Sequence, residues 1–235
     1  MIKAEHIDKI YPVPSGGEFY ALRDVNVDIP RGKLTILKGR SGSGKTTLLN
    51  IISALDESSN GVVHFDEDNL TQMTEKEKEQ LRRYQIGFIF QAVALIPIMT
   101  AYENVDYALR LAGYKGDRKK RAEECLKKVG LAERMHHLPA QLSGGEQQRV
   151  AIARAIAHQP KVIFADEPTA ALDTMTALRV VKIFKDLIAQ EECTIVMTTH
   201  SADLMEAADV LYELSDGRVI QKVVSEADKS DQPSA

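Results

Sequence analysis

The chain has 235 residues, 44% of them hydrophobic, with a net charge of −4 and two cysteines. That is enough apolar content for the core of one long α/β domain, and the acidic balance argues against a surface built for nucleic acid. Cys125 and Cys193 lack metal-ligand spacing and read as ordinary thiols; no run of about 18 apolar residues is present to span a bilayer, and the N-terminus shows no signal-peptide pattern.

Strands are expected over residues 2–29. Ile2, Ala4 and His6 alternate with Lys3 and Glu5, and Val25, Val27 and Ile29 alternate with Asn26 and Asp28. Pro12 to Gly17 forms a turn-rich loop between them. Tyr11, just before that loop, reads locally as a strand-end aromatic, although such a ring can also stack on a purine.

Leu34-Thr35-Ile36-Leu37 reads as a buried strand. It leads into Gly39, Arg40, Ser41, Gly42, Ser43, Gly44, Lys45, Thr46 and Thr47, which match the phosphate-loop pattern G-x-x-x-x-G-K-[ST]. Leu48, Leu49, Ile51 and Ile52 continue as a helix. The glycines let successive N–H groups curl toward phosphate oxygens, and the helix adds its positive end. Lys45 then reaches the β- and γ-phosphates, and the Thr46 hydroxyl is a ligand for Mg²⁺.

Asp56 to Gly61 reads as a turn, 61–65 as a strand, and Thr71 to Tyr84 as a charged, solvated helix. Ile86 to Phe90 is an apolar strand ending at Gln91. From Ala92 to about Gln159 the pattern is helical, opening on the almost wholly apolar run 92–99. The basic run Lys115, Arg118, Lys119, Lys120 and Arg121 reads as a solvated helix face, with contact to anionic lipid as the alternative. Val162–Ala165 and Thr194–Met197 are buried strands. Between them Leu178, Val181, Phe184, Leu187 and Ile188 form one helical face. A short helix at 204–208 precedes a hairpin around Ser215-Asp216-Gly217, and the tail from Ser225 is polar and expected to be disordered.

Several polar groups stand just past apolar strands. Asp166 and Glu167 follow Val162–Ala165, where the first carboxylate can hold Mg²⁺ and the second can orient or deprotonate water. Gln91 and His200 also end strands, and parallel strands deliver their C-terminal ends to one crevice. Leu142 to Arg149 opens another helix, with Ser143 as N-cap and Gly144 and Gly145 leaving backbone N–H groups accessible. One nucleotide does not need two such helix starts. A dimer in which each chain lends this element to its partner's ATP explains both.

Over residues 1–222 these motifs, in this order and spacing, resemble the nucleotide-binding subunits of ATP-binding cassette (ABC) transporters; Leu142-Ser143-Gly144-Gly145-Glu146-Gln147 is the most specific of them. The resemblance implies a single α/β domain of the P-loop NTPase (ABC ATPase) type. Its core sheet would be mixed, with an N-terminal antiparallel β-subdomain, a helical subdomain inserted at about 92–159, and a polar tail at 223–235. It implies a Mg²⁺-dependent ATPase in which two copies sandwich two ATP molecules. One chain would supply Tyr11 as adenine-stacking residue, 39–47, Gln91, Asp166, Glu167 and His200. The other would supply Ser143 to Gly145 and Asp173, which lies in the loop Ala171-Leu172-Asp173 that communicates between subunits. In such a site Thr46, Gln91 and Asp166 hold Mg²⁺, Glu167 activates water and His200 fixes the γ-phosphate.

Leu95 to Val105 and Ala165 to Thr169 look most like the macrolide-exporter and lipoprotein-releasing group. Ala94, where that group often has Asn, and Ala170, where it often has Gly or Ser, depart from it. The resemblance implies a separate membrane permease contacted through 92–99, a run that core packing would explain equally residue by residue. It also implies a cytoplasmic protein, peripheral on the inner face of the membrane. An ATPase that drives a partner to regulate extracytoplasmic enzymes, moving no substrate, is the alternative.

Overall fold

The computed structural model describes residues 1–14, 16–170 and 172–225; Ala171 and residues 226–235 of the expected tail lie outside the described residues. In chain order the strands and α-helices are β1 (Ile2–Pro12), β2 (Glu18–Ile29), β3 (Leu34–Lys38), α1 (Lys45–Ile52), β4 (Asn60–Phe65), β5 (Asp68–Asn69), α2 (Glu75–Gln85), β6 (Ile86–Ile89), α3 (Ala101–Leu111), α4 (Arg118–Lys128), α5 (Gly144–Ile156), β7 (Val162–Ala165), α6 (Thr174–Glu191), β8 (Thr194–Thr199), β9 (Val210–Ser215) and β10 (Arg218–Val224). They fall into two compact units, Met1–Glu79 with the chain from Thr194 onward, and Gln80–Cys193.

The first unit holds an antiparallel sheet ordered β2-β1-β4-β5. A second sheet sets β3 between β8 and β9, parallel to both, with β10 antiparallel to β9. The expected antiparallel N-terminal sheet and mixed core sheet are therefore present. Leu34 to Leu37 and all of β8 are buried, the near-continuous apolar run of strands covered on both faces. The Tyr212 hydroxyl of β9 donates to Asp28 O and accepts from Asp28 N, both at 2.9 Å, tying β9 to β2.

The alternation expected at the start of β1 breaks at His6. Its φ is +54°, it is exposed, and the pairing register skips from Ala4 to Ile7, which takes the inward place. A bulge explains this: one extra residue shifts the following side chains to the other face.

The second unit holds the parallel pair β6–β7 and the helices α3, α4 and α5, which pack on one another, together with α6. α3–α5 lie within the stretch expected to be helical. On α6 the buried face is Ala177, Val180, Val181, Phe184 and Leu187, whereas Leu178 points to solvent at 44% exposure. The expected stripe was thus rotated by part of a turn. Full burial of Val180 and Phe184 stabilises the unit by about 1.5–3 kcal/mol each.

Two charged stretches differ from a simple solvated face. On α2 Lys78 is buried and forms ion pairs with Glu57 and Glu75. On α4 Arg121 is buried, and its guanidinium donates to Ile156 O and Ala157 O at 2.9 Å, closing the C-terminal carbonyls of α5. Among the described residues no helix is long and apolar enough to cross a membrane.

Candidate functional site

In the first unit β3 and β8 leave the sheet side by side. Lys38 pairs with Thr199, so Gly39 and His200, the next residue of each strand, emerge at the same edge. This places the phosphate loop and His200 at the C-terminal ends of adjacent parallel strands, where α/β sheets bind ligands.

The loop ends at Gly44, which occupies the N-cap of α1 at φ +100° with no side-chain cap, and the first turn carries no acidic residue. A Cβ at Gly44 would stand 2.8 Å from Ala21 O, so only glycine fits the approach. Lys45 is buried, and its ammonium donates to Gly39 O and Arg40 O at 2.9 and 3.0 Å. The Ser43 hydroxyl is buried without a hydrogen-bond partner among the described residues. An uncapped helix start, a cationic ammonium inside the loop and an orphaned hydroxyl fit a bound phosphate chain. Thr46, in the first turn of α1, is exposed.

One support of this loop went unread in the sequence. The turn between β9 and β10 packs behind it: Gly217 N donates to Ser43 O at 3.2 Å, and Arg23 N donates to Gly217 O at 2.8 Å. Gly217 has φ +74°, and a Cβ there would meet Ala21 O at 2.7 Å. Its turn signal was legible, but its contact with residues about 170 to 200 positions earlier was not.

Tyr11 lies at the end of β1, opposite Phe19, and is 40% exposed. Its hydroxyl donates to Asp56 Oδ2 at 3.3 Å, and the Lys9 ammonium stands over its ring, 5.1 Å from the centroid.

In the second unit β6 and β7 pair Ile89 with Ala165, and Asp166 N donates to Ile89 O at 2.8 Å. Gln91, exposed, and Asp166 therefore both sit past the C-terminal end of this parallel pair. Glu167 follows with φ +44°, a left-handed conformation that costs a non-glycine residue on the order of 1–3 kcal/mol.

The start of α5 is a complete capping box. Ser143 Oγ accepts from Glu146 N at 3.3 Å, while Ser143 N and Oγ both donate to Glu146 Oε2 at 2.8 and 2.9 Å. Those bonds from Ser143 hold the Glu146 carboxyl below its usual range. Asp173 caps α6, accepting from Thr176 N at 3.0 Å and Thr176 Oγ1 at 2.6 Å, and its carboxyl is likewise lowered by Thr176. A Cβ at Gly145 would stand 3.5 Å from Thr176 Cγ2 and 3.6 Å from Leu172 Cδ2. The structure thus packs the Gly145 helix start against the turn that Asp173 caps. The Ser143 cap is expected from the sequence; the Asp173 cap and the contact between the two turns are not.

The apolar run 92–99 does not enter the core. None of its residues is buried, and Ile98 is 85% exposed. It is nevertheless held: Arg154 donates to Ala94 O and Val93 O, and buried Asn104 bonds Ile96 N, Ile96 O and Met99 O. Cys125 and Cys193 are buried, which pushes their thiols up to about 11 and about 12, so neither is a reactive thiolate at neutral pH.

A family pattern described as ABC transporter matches residues 22–170, from β2 through Glu167 to Ala170. The chain belongs to the ABC transporter family. As such it is an ATP-binding subunit and an ATPase. The ABC transporter ATP-binding protein MJ0796 of Methanocaldococcus jannaschii is 43% identical over 93% of this chain and 95% of its own length. The lipoprotein-releasing system ATP-binding protein LolD 2 of Rhodopirellula baltica is 41% identical over 92% of this chain and 84% of its own. The macrolide export ATP-binding/permease protein MacB of Bartonella henselae is 43% identical over 92% of this chain, which corresponds to 33% of that longer protein. The dimeric post-hydrolysis structure of MJ0796 bound to ADP and Pi superposes with a TM-score of 0.89 at 40% identity, covering 95% of this chain and 98% of that one.

Proposed function

We infer that this ABC subunit works as a dimer around two ATP molecules and drives a separate membrane permease of the macrolide-exporter or lipoprotein-releasing type. The observation that carries this reading is the pair of glycine helix starts in one chain, the uncapped Gly44–Lys45 start of α1 and the Ser143–Gly145 start of α5. A single nucleotide needs only one, and the solved dimer of a relative at 40% identity supports sharing between copies.

Tyr11 stacks on adenine, and the loop Gly39 to Thr47 with Lys45 binds the phosphates. Glu167 takes a proton from the attacking water, and His200 hydrogen-bonds the γ-phosphate. The second copy contributes Ser143, Gly144, Gly145 and Asp173. Thr46, Gln91 and Asp166 are the oxygen donors that would hold Mg²⁺, whose charge would offset that of the phosphates. All three donors are oxygens, as this hard cation prefers. The exposed, braced run 92–99 is the surface offered to the permease, which would keep the subunit peripheral on the inner face of the membrane.

Glu167→Gln lowers the steady-state ATPase rate by at least about 100-fold while leaving ATP-dependent dimers intact, read by light scattering with Mg²⁺ and ATP. Hydrolysis at the parent rate would refute the role of Glu167. The same variant, pulled down from native membranes with ATP, is expected to bring a permease. Recovery of ribosomes or DNA-repair proteins, with no membrane protein, would overturn the transporter reading and leave the ATPase chemistry standing.

A further inference from the structure

The adenine reading leaves unexplained how an exposed ring on a strand end is kept in one orientation. Tyr11 is 40% exposed, and a phenol ring free to turn about two side-chain bonds would lose rotamer entropy on stacking. Two contacts remove that freedom beforehand. The Tyr11 hydroxyl donates to Asp56 Oδ2 at 3.3 Å. The Lys9 ammonium lies 5.1 Å from the ring centroid, within range of a cation–π contact. Lys9 is itself fixed, donating to Asp56 Oδ1 at 2.8 Å and to Glu57 O at 2.6 Å, with its side chain only 13% exposed.

Asp56 is in turn tied to the helix that starts at the phosphate loop. Its backbone N–H donates to Asn50 O at 3.2 Å, and that of Leu55 donates to the same carbonyl at 2.8 Å, in the last turn of α1. The eight residues of α1 make a strut about 12 Å long. The ring is therefore referenced to the phosphate loop through Asp56 and α1 as well as through its own strand.

We propose that Lys9 and Asp56 are positioning residues for base recognition, holding the Tyr11 ring ready for a purine at a set distance from the phosphate loop. This rests on the reading that Tyr11 stacks on adenine. Neither residue touches the nucleotide; both act by lowering the ordering cost of the stack.

The test is equilibrium binding of ADP and of inorganic pyrophosphate, which lacks the base, to the full chain and to Asp56→Asn, Lys9→Met, Tyr11→Ala and the Tyr11→Ala/Asp56→Asn double variant. Thermal unfolding confirms that each is folded. Tyr11→Ala is expected to weaken ADP about tenfold and leave pyrophosphate unchanged. Asp56→Asn and Lys9→Met are expected to weaken ADP about three- to fivefold, again sparing pyrophosphate. Asp56→Asn is expected to have no further effect once Tyr11 is alanine. Equal losses for ADP and pyrophosphate, or a full Asp56→Asn effect in the Tyr11→Ala background, would overturn the proposal while leaving the stack in place. ADP binding unaffected by Tyr11→Ala would overturn the stack itself, and the positioning role with it. If Asp56→Asn does not fold, Lys9→Met decides between these outcomes alone.

Discussion

The two glycine helix starts solve the same electrostatic problem in opposite ways. α1 begins at a left-handed Gly44 with no side-chain cap and no acid in its first turn, so its N-terminal charge is left to the ligand. α5 begins at Ser143 inside a capping box, with the Glu146 carboxylate already bonded to the Ser143 backbone and hydroxyl. The first start is an open anion site. The second already pairs the Ser143 hydroxyl and the Ser143 and Glu146 N–H groups, so a phosphate there competes with the Glu146 carboxylate. In the dimer proposed above, that asymmetry would let the first start take the nucleotide and the second respond when its partner presents a phosphate.

The far ends differ too. α1 stops after eight residues at Ser53, whose hydroxyl bonds Asn50 O, whereas α5 runs thirteen residues and is closed by the buried guanidinium of Arg121. The half-buried His158 follows closely, donating from Nε2 to Ile86 O at 3.1 Å.

The comparison breaks first at Lys45. If α1 is the primary anion site, Lys45→Ala lowers kcat/KM for ATP by at least about 100-fold and weakens ATP binding to the monomer, because an ammonium placed among the phosphates has no substitute. A loss of tenfold or less in a steady-state assay would mean that the loop amides suffice.

At α5 the predicted effect is smaller and of opposite sign. Glu146→Gln keeps the capping geometry but removes a negative charge from the first turn. In the Glu167→Gln background it is expected to favour ATP-driven dimers about two- to fivefold in sedimentation equilibrium. Ser143→Ala, which removes the cap, is expected to cost about 1 kcal/mol of stability and to weaken the dimers. Weaker dimers from Glu146→Gln would show that the carboxylate assists the exchange instead of competing with phosphate.

The smallest effect concerns the end of α5. Burial lowers the His158 pKa from its ordinary 6.5, with the Ile86 carbonyl opposing and Arg121 adding to the fall. Below 6.5 the unfolded chain therefore binds a proton that the folded chain refuses. Stability from this group is complete above that value and declines as pH falls through it. His158→Gln, which keeps a donor toward Ile86 O, is expected to flatten the urea-midpoint profile between pH 5.5 and 7. Parallel profiles would assign the slope to another group.

How much of this was legible follows from how local each feature is. The phosphate loop, the N-cap Ser143 and the buried strands β3, β7 and β8 depend on residues within a few positions of one another. They appeared in the expected places. The stripe on α6 was misread at Leu178 because an apolar side chain on a helix says nothing about what is available to cover it. Arg121 was misread because its charge implies water, whereas the end of α5, thirty-five residues on, offers carbonyls and Glu191 a carboxylate to replace it. The run 92–99 was ambiguous for the same reason: apolar residues are compatible with core or interface until burial is known.

Turn chemistry, capping and strand period belong to short segments, whose backbone torsions and nearest side chains suffice to specify them. The amino-acid order therefore carried the helix starts, the strand ends and the family they belong to. The Lys38–Thr199 pairing that sets Gly39 beside His200, the Gly217 turn behind Ser43, and the Asp56 bridge from α1 to Tyr11 join residues that lie 161, 174 and 45 positions apart. Those contacts exist because the chain closes many loops at once to bury its strands, and no period or spacing records which distant partners that closure brings together.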